Sequence, residues 1–204
     1  MNKLLVSLVL SLGVAGTAQA LPGDAEAGKD KVAMCAACHG ADGNSMLPNF
    51  PSLAGLGQKY LQKQMLDIKE ARRPVVEMTG MLDALSVQDL WDIAAFYDSQ
   101  TPKPGVANAD AEVLARGEAI FRGGNLETGL PACTGCHSPT GKGNDPAGYP
   151  RLAGQHGAYI AKQLTDFREG DRTNDGDTMI MRAIAAKLSN KDIEALSSYI
   201  QGLH

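Results

Sequence analysis

The chain has 204 residues, 44% of them hydrophobic and 21% charged, with a formal net charge of −4. This length accommodates one or two domains, and the apolar share supports a packed core. No Lys/Arg run or basic patch interrupts the sequence, which excludes a nucleic-acid-binding surface.

Lys3, the apolar run Leu4–Val14 and the small-x-small tripeptide Ala18-Gln19-Ala20 predict a secretory signal peptide over residues 1–20, cleaved after Ala20. The run is shorter than the ~20 residues that span a bilayer. The mature chain is therefore expected to be exported and periplasmic, with room for peripheral association with a membrane surface. Four cysteines in an oxidising compartment usually mean two disulfides, but here their spacing points elsewhere.

The first predicted domain, residues 21–101, carries Cys35-Ala36-Ala37-Cys38-His39, then Phe50-Pro51-Ser52-Leu53-Ala54-Gly55, then Tyr60, Gln64 and Asp67. Tyr60 to Ile68 is expected as a helix. Ser86 and Asp89, followed by Leu90, Ile93, Ala94 and Tyr97, read as the capped start and apolar face of another. Residues 102–109, with Pro102, Pro104 and Gly105, form a predicted linker. The second domain, residues 110–204, repeats the first. Cys133-Thr134-Gly135-Cys136-His137 lies 98 positions on, Tyr149-Pro150-Arg151-Leu152-Ala153-Gly154 with Tyr159, Gln163 and Asp166 lies 99 on, and Leu188-Ser189 lies 103 on. Small loop insertions account for the drift. So long a period is a domain duplication, not a solenoid of about 20–50 residues. Tyr159 to Phe167 and the stretch after Ser189 are the matching helices. No alternating strand pattern appears, so the fold class is all-α. Domains this small are marginal alone, and a large buried cofactor would stabilise them.

Cys-x-x-Cys-His is the attachment sequence for c-type haem. Residues three apart share one face of a helix, so both thiols can meet the two vinyl groups along one porphyrin edge. The next residue, His, can then reach the iron. Cys35, Cys38, Cys133 and Cys136 are the expected attachment points for two covalent haem c groups, with His39 and His137 as iron ligands. A redox disulfide would leave both histidines unexplained. A four-cysteine zinc site would need the two repeats to converge.

An iron with one His takes a second ligand or keeps an open position. Among eight methionines, Met78 and Met181 recur at one equivalent position, 103 apart. They are the expected second ligands if both domains bind haem alike. Met81 and Met179 lie close enough to compete, and a single Met is more often core filler. Of four histidines two belong to the motifs, which excludes symmetric bis-histidine ligation. His156 is read as a surface or supporting residue. A ligating His is normally oriented through its other ring nitrogen, and a carbonyl near Pro51 or Pro150 is the expected acceptor.

Each half resembles a small class I cytochrome c, and the whole mature chain resembles the dihaem cytochrome c4 family. The resemblance rests on Asn49-Phe50-Pro51-x-Leu53-Ala54-Gly55, Glu77-Met78-Thr79-Gly80-Met81 and Asn174-Asp175-Gly176-Asp177-Thr178-Met179-Ile180-Met181. It implies two tandem cytochrome c domains related by pseudo-twofold symmetry, with haem propionates facing each other across the interface. It also implies His/Met ligation of both irons, and Gly28 and Gly117 against Phe96 and Tyr199 where terminal helices cross. The implied role is an electron carrier, not an enzyme, in a bacterial respiratory chain. It would deliver electrons to a membrane-bound terminal haem–copper oxidase, with an upstream quinol-oxidising complex or small cytochrome as donor. The competing class is a dihaem periplasmic enzyme of peroxidase or thiosulfate-oxidising type. That class needs an open or unusual ligand position, whereas no cysteine is spare and both halves offer a Met.

Overall fold

The computed structural model describes residues 23–107 and 109–204; the predicted signal peptide lies outside the described residues. Helices α1 (Ala25–Lys29), α2 (Ala36–His39), α3 (Gln58–Lys69) and α4 (Val87–Ser99) build the first half. Helices α5 (Ala111–Gly123), α6 (Thr134–His137), α7 (Gly157–Glu169), α8 (Ile180–Ala185) and α9 (Asn190–Gly202) build the second. Among the described residues there is no strand, only the isolated bridges Asn125–Leu130 and Asn144–Tyr149.

The caps that start these helices are written in local sequence. Ser86 and Ser189 begin α4 and α9 with reciprocal capping boxes. Each serine hydroxyl accepts from the backbone N–H of Asp89 or Asp192 at 3.2 Å, and each aspartate accepts in return from the serine backbone at 2.8 or 2.9 Å. Asp24 and Asp110 cap α1 and α5 by accepting from first-turn backbone N–H groups, those of Glu26 and Ala27 and that of Val113. The helices expected from Tyr60 and Tyr159 are α3 and α7, each slightly longer than its apolar face.

In each domain the first helix crosses the last, α1 on α4 and α5 on α9. The crossings are so tight that backbone meets backbone. A Cβ on Gly28 would stand 2.0 Å from the Asp92 carbonyl oxygen and 2.9 Å from Phe96 Cβ. One on Gly117 would stand 2.3 Å from the Ala195 carbonyl and 2.7 Å from Tyr199 Cβ. Both glycines meet the expected aromatic residues, and no other residue type fits.

Helix α1 is far shorter than α5, and a buried carboxylate compensates. Asp92, 4% exposed, accepts from the Asp24 backbone at 3.0 Å, Lys31 Nζ at 2.6 Å and Gln88 Nε2 at 2.9 Å. Burial alone would raise its pKa; the donors, led by Lys31, outweigh burial and hold it below the usual carboxylate range. Lys31 also pairs with Asp89, as Arg116 pairs with the equivalent Asp192 in domain 2.

The stretch between the domains is strapped down on both sides. Asn44 Nδ2 donates to the Thr101 carbonyl at 3.1 Å, and its Oδ1 accepts from the Lys103 backbone at 2.8 Å. Gln201 Nε2 donates to the Val106 carbonyl at 2.7 Å. Pro and Gly suit this path because it runs against both domains: a Cβ on Gly105 would stand 2.2 Å from the Gln201 carbonyl.

Candidate haem-binding sites

Cys35 and Cys133 are the N-cap residues of α2 and α6. The His39 and His137 backbone N–H groups donate back to the carbonyls of Cys35 and Cys133, each at 2.9 Å. One helical turn therefore presents two cysteines on one side and delivers the histidine just beyond. All four cysteines are half-buried, and none is paired with another in a disulfide. The two pairs do not converge: among the described residues no group of three or more His, Cys, Asp and Glu side chains is placed to share a metal.

Both motif histidines are buried, at 7% and 8% exposure. His39 Nδ1–H donates to the Pro51 carbonyl at 2.9 Å, and His137 Nδ1–H to the Pro150 carbonyl at 3.0 Å. These are the carbonyls expected from the sequence. A carbonyl only accepts, so each Nδ1 carries the proton and each Nε2 offers its lone pair. Burial lowers both histidine pKa values and outweighs the backbone hydrogen bonds that raise them, which keeps the rings neutral.

In domain 2 the structure gathers the predicted residues around one cavity of about 590 Å³, with Cys133, Cys136, His137 and Met181 in its walls. That volume is in the range of about 300–1,000 Å³ usual for small-molecule and cofactor sites. Met179, the competing methionine, caps α8 from outside with a left-handed backbone (φ 46°), and its side chain is 48% exposed. In domain 1, Met78 is half-buried at the end of a 3-10 turn over Val76–Met78, while Met81 is exposed.

A basic side chain from the middle helix ties each methionine segment down. Lys69 Nζ donates to the carbonyls of Leu82, Asp83 and Leu85 at 3.1, 2.7 and 2.6 Å. Arg168 Nη1 donates to the Leu188 carbonyl at 3.1 Å. Sequence reasoning passed over this pair, although Lys69 and Arg168 stand at the same 99-residue offset as the tyrosines.

It also passed over the largest polar feature, at the junction of the domains. Arg73 donates to Gln64 Oε1 in its own domain at 2.9 Å, and to Tyr159 OH and Gln163 Oε1 across the junction at 3.0 and 2.8 Å. Arg172 does the reciprocal: Gln163 Oε1 at 2.6 Å in its own domain, Tyr60 OH and Gln64 Oε1 across the junction at 3.2 and 2.8 Å. The repeated Tyr60/Tyr159 and Gln64/Gln163 are thus interface residues, and the reciprocity is what pseudo-twofold symmetry produces. The signal was present, since Arg73 and Arg172 share their offset.

Both guanidiniums are buried, at 8% and 6% exposure, and among the described residues neither pairs with a carboxylate. Their hydrogen-bond partners are neutral, and the Asp166 carboxylate reaches Arg73 only through space. Arg172, Tyr60 and Gln64 also line the cavity of domain 2, so the cavity opens onto one of the two guanidiniums. His156, expected at the surface or in support, reaches across as well: its Nε2 lies 2.9 Å from the Ser45 carbonyl. The cysteine pairs and oriented histidines of both domains, with the cavity of domain 2 and the buried cations at the junction, fit covalently attached, carboxylate-bearing macrocycles.

Comparison with known proteins agrees with this geometry. The Cytochrome c family model matches residues 25–101 and 114–204. The chain is 66% identical over its whole length to the full cytochrome c4 of Stutzerimonas stutzeri, and 66% identical, again over both full lengths, to that of Pseudomonas aeruginosa. It superposes with a TM-score of 0.87 on the crystal structure of reduced recombinant cytochrome c4 from Pseudomonas stutzeri, at 66% identity, covering 89% of this chain and 100% of that one. The chain belongs to the cytochrome c4 family: it is a dihaem electron carrier of two tandem cytochrome c domains, with haem c bound covalently at Cys35 and Cys38 and at Cys133 and Cys136.

Proposed function

We propose that His39 with Met78, and His137 with Met181, would hold the two irons, and that Arg73 and Arg172 would be the counter-charges of the haem propionates at the junction. The observation that carries the ligand set is the wall of the domain 2 cavity. It includes His137 and Met181, while Met179 faces out. Met78 follows by the repeat. The bound iron supplies one-electron exchange. Around it the protein keeps the His Nε2 lone pairs directed inward through the Pro51 and Pro150 carbonyls, and holds the methionine segments through Lys69 and Arg168.

Held by one histidine and one methionine, each iron would keep the same ligands in both oxidation states and have a raised potential. With no position left for a substrate, the protein is a carrier rather than an enzyme. Its respiratory role is to pass electrons to a membrane-bound terminal haem–copper oxidase after receiving them from a quinol-oxidising complex or small cytochrome. It acts in the periplasm, exported by residues 1–20, as domains over 21–101 and 110–204 joined through 102–109. Among the described residues no helix is long and apolar enough to cross a membrane, which leaves room for peripheral association with its surface. The net charge of −4 favours partners with a basic docking patch.

The test is oxygen uptake by purified terminal oxidase with the reduced protein as sole electron donor. Uptake that saturates with the protein supports the assignment. Absence of uptake, with the oxidase active toward an artificial donor, removes the oxidase from the reading.

A further inference from the structure

The methionine segments of the two domains are built differently. Met78 follows Arg73 by five positions, whereas Met181 follows Arg172 by nine. The longer stretch carries Asn174, Asp175 and Gly176, which stand with Met181 in the wall of the domain 2 cavity.

Asp175 grips the turn that presents Met181. Its carboxylate, 6% exposed, accepts from the Arg182 backbone N–H at 2.9 Å and from Arg182 Nε at 2.6 Å. Arg182 Nη2 donates in turn to the Gly176 carbonyl at 3.1 Å. Helix α8 receives no side-chain cap from Met179, the residue before it, so Asp175 supplies an acceptor that its first turn lacks. Hydrogen bonds to an ionised partner are roughly twice as strong as neutral ones. These fix the residue directly after Met181.

Asn174 carries the hold across the junction. Its Nδ2 donates to Asp67 Oδ2 at 2.6 Å and to Gln64 Oε1 at 2.9 Å, both on α3 of domain 1. Lys63 Nζ, from the same helix, donates to the Asn174 carbonyl at 2.7 Å. Asp67 is 3% exposed, so this anchor is a buried one. Nothing returns the contact. Lys162 and Asp166 stand on α7 where Lys63 and Asp67 stand on α3, and among the described residues their side chains bond only within α7. The Met78 turn is held by backbone alone, with Met78 N–H on the Val75 carbonyl at 3.0 Å and Thr79 N–H on that of Val76 at 3.2 Å. Val76 itself is 85% exposed.

We infer, on the ligand pairs proposed above, that Asn174 and Asp175 are positioning residues for Met181, and that through Asn174 domain 1 holds the methionine of domain 2 in place without the reverse. Hydrogen bonds behind a ligand decide how firmly its segment stays at the metal. Met181 can leave only if its turn swings out, which breaks the Asp175–Arg182 pair or lifts Asn174 from α3. Met78 can swing out with its short turn and break neither.

The experiment is stopped-flow binding of imidazole to the oxidised holoprotein. At saturating imidazole the rate is that of methionine departure. Two phases are expected, assigned through Met78→Ala and Met181→Ala, each of which should abolish one slow phase. Asn174→Ala and Asp175→Ala should each speed the Met181 phase by about tenfold or more, equivalent to about 1.4 kcal/mol of barrier, and leave the Met78 phase unchanged. Unchanged rates, or equal acceleration of both phases, overturn the inference. So does a lower melting temperature with both rates intact, since the two residues would then serve the fold and not the ligand. If Met181→Ala keeps both slow phases, the ligand assignment itself falls and the inference with it. Should Asn174→Ala and Asp175→Ala fail to take up two haems, the wild-type rates decide. A slower departure of Met181 than of Met78 supports the one-sided hold, and equal rates or the opposite order overturn it.

Discussion

Arg73 and Arg172, on opposite sides of the domain junction, share the same two acceptors: each donates to both Gln64 Oε1 and Gln163 Oε1. Two buried cations held together by neutral amides are repulsive alone. The arrangement makes sense around carboxylates, and under the proposed function it would give the two haems a common electrostatic environment.

Replacing either arginine by methionine should therefore lower the reduction potential of both haems, because a nearby positive charge favours the less positive ferrous state. At about 10 Å and an effective dielectric near 20, the effect is on the order of 1–2 kcal/mol per charge. Potentiometry on each variant checks this. A shift confined to the haem of the mutated domain would show that the pair is not shared.

Met78→Ala and Met181→Ala should each remove one of two sulfur–iron bonds. The weak near-infrared absorption of the oxidised protein that reports such bonds is expected to fall by about half in each variant. Met81→Ala and Met179→Ala should leave it intact. If Met81→Ala halves the band and Met78→Ala does not, the ligand of domain 1 lies one turn away from the assignment made here.

Asp92 links stability to pH. Its folded pKa is depressed below an unfolded value of about 3.9. Its contribution is therefore complete above that value and fades as the pH falls through the folded pKa. Thermal melts of wild type should show this loss in acid. Asp92→Asn should remove that part of the acid dependence, and at neutral pH destabilise domain 1 by roughly 1–3 kcal/mol through the weakened Lys31 and Asp24 contacts. An unchanged acid limb in the variant would assign the pH dependence to other carboxylates.

Gly28→Ala and Gly117→Ala force a Cβ onto a carbonyl oxygen at 2.0 and 2.3 Å. Backbone cannot yield as a flexible side chain does, so each should cost at least about 1–3 kcal/mol. Differential scanning calorimetry on holoprotein should show the loss. Gly170→Ala, where a Cβ would meet nothing within 4 Å but φ is 84°, separates crowding from backbone strain, the latter about 1–2 kcal/mol.

The attachment turns, the helix caps, the duplication and the prolyl acceptors for His39 and His137 were legible because each is set by neighbours in the chain. A Cys-x-x-Cys-His turn, a Ser-x-x-Asp box or a carbonyl 12 or 13 residues on leaves its mark in local spacing. The repeat also placed Tyr60, Gln64 and Asp67 in register with Tyr159, Gln163 and Asp166 without saying why. Only the tertiary structure decided that the tyrosines and glutamines meet Arg73 and Arg172, and that His156 reaches Ser45 across the junction. The outward turn of Met179 and the solvent-free hydroxyl of Tyr97 were likewise decided by packing. Those contacts join residues tens to more than a hundred positions apart, and which partners meet is set by how two similar cores bury their surfaces against each other.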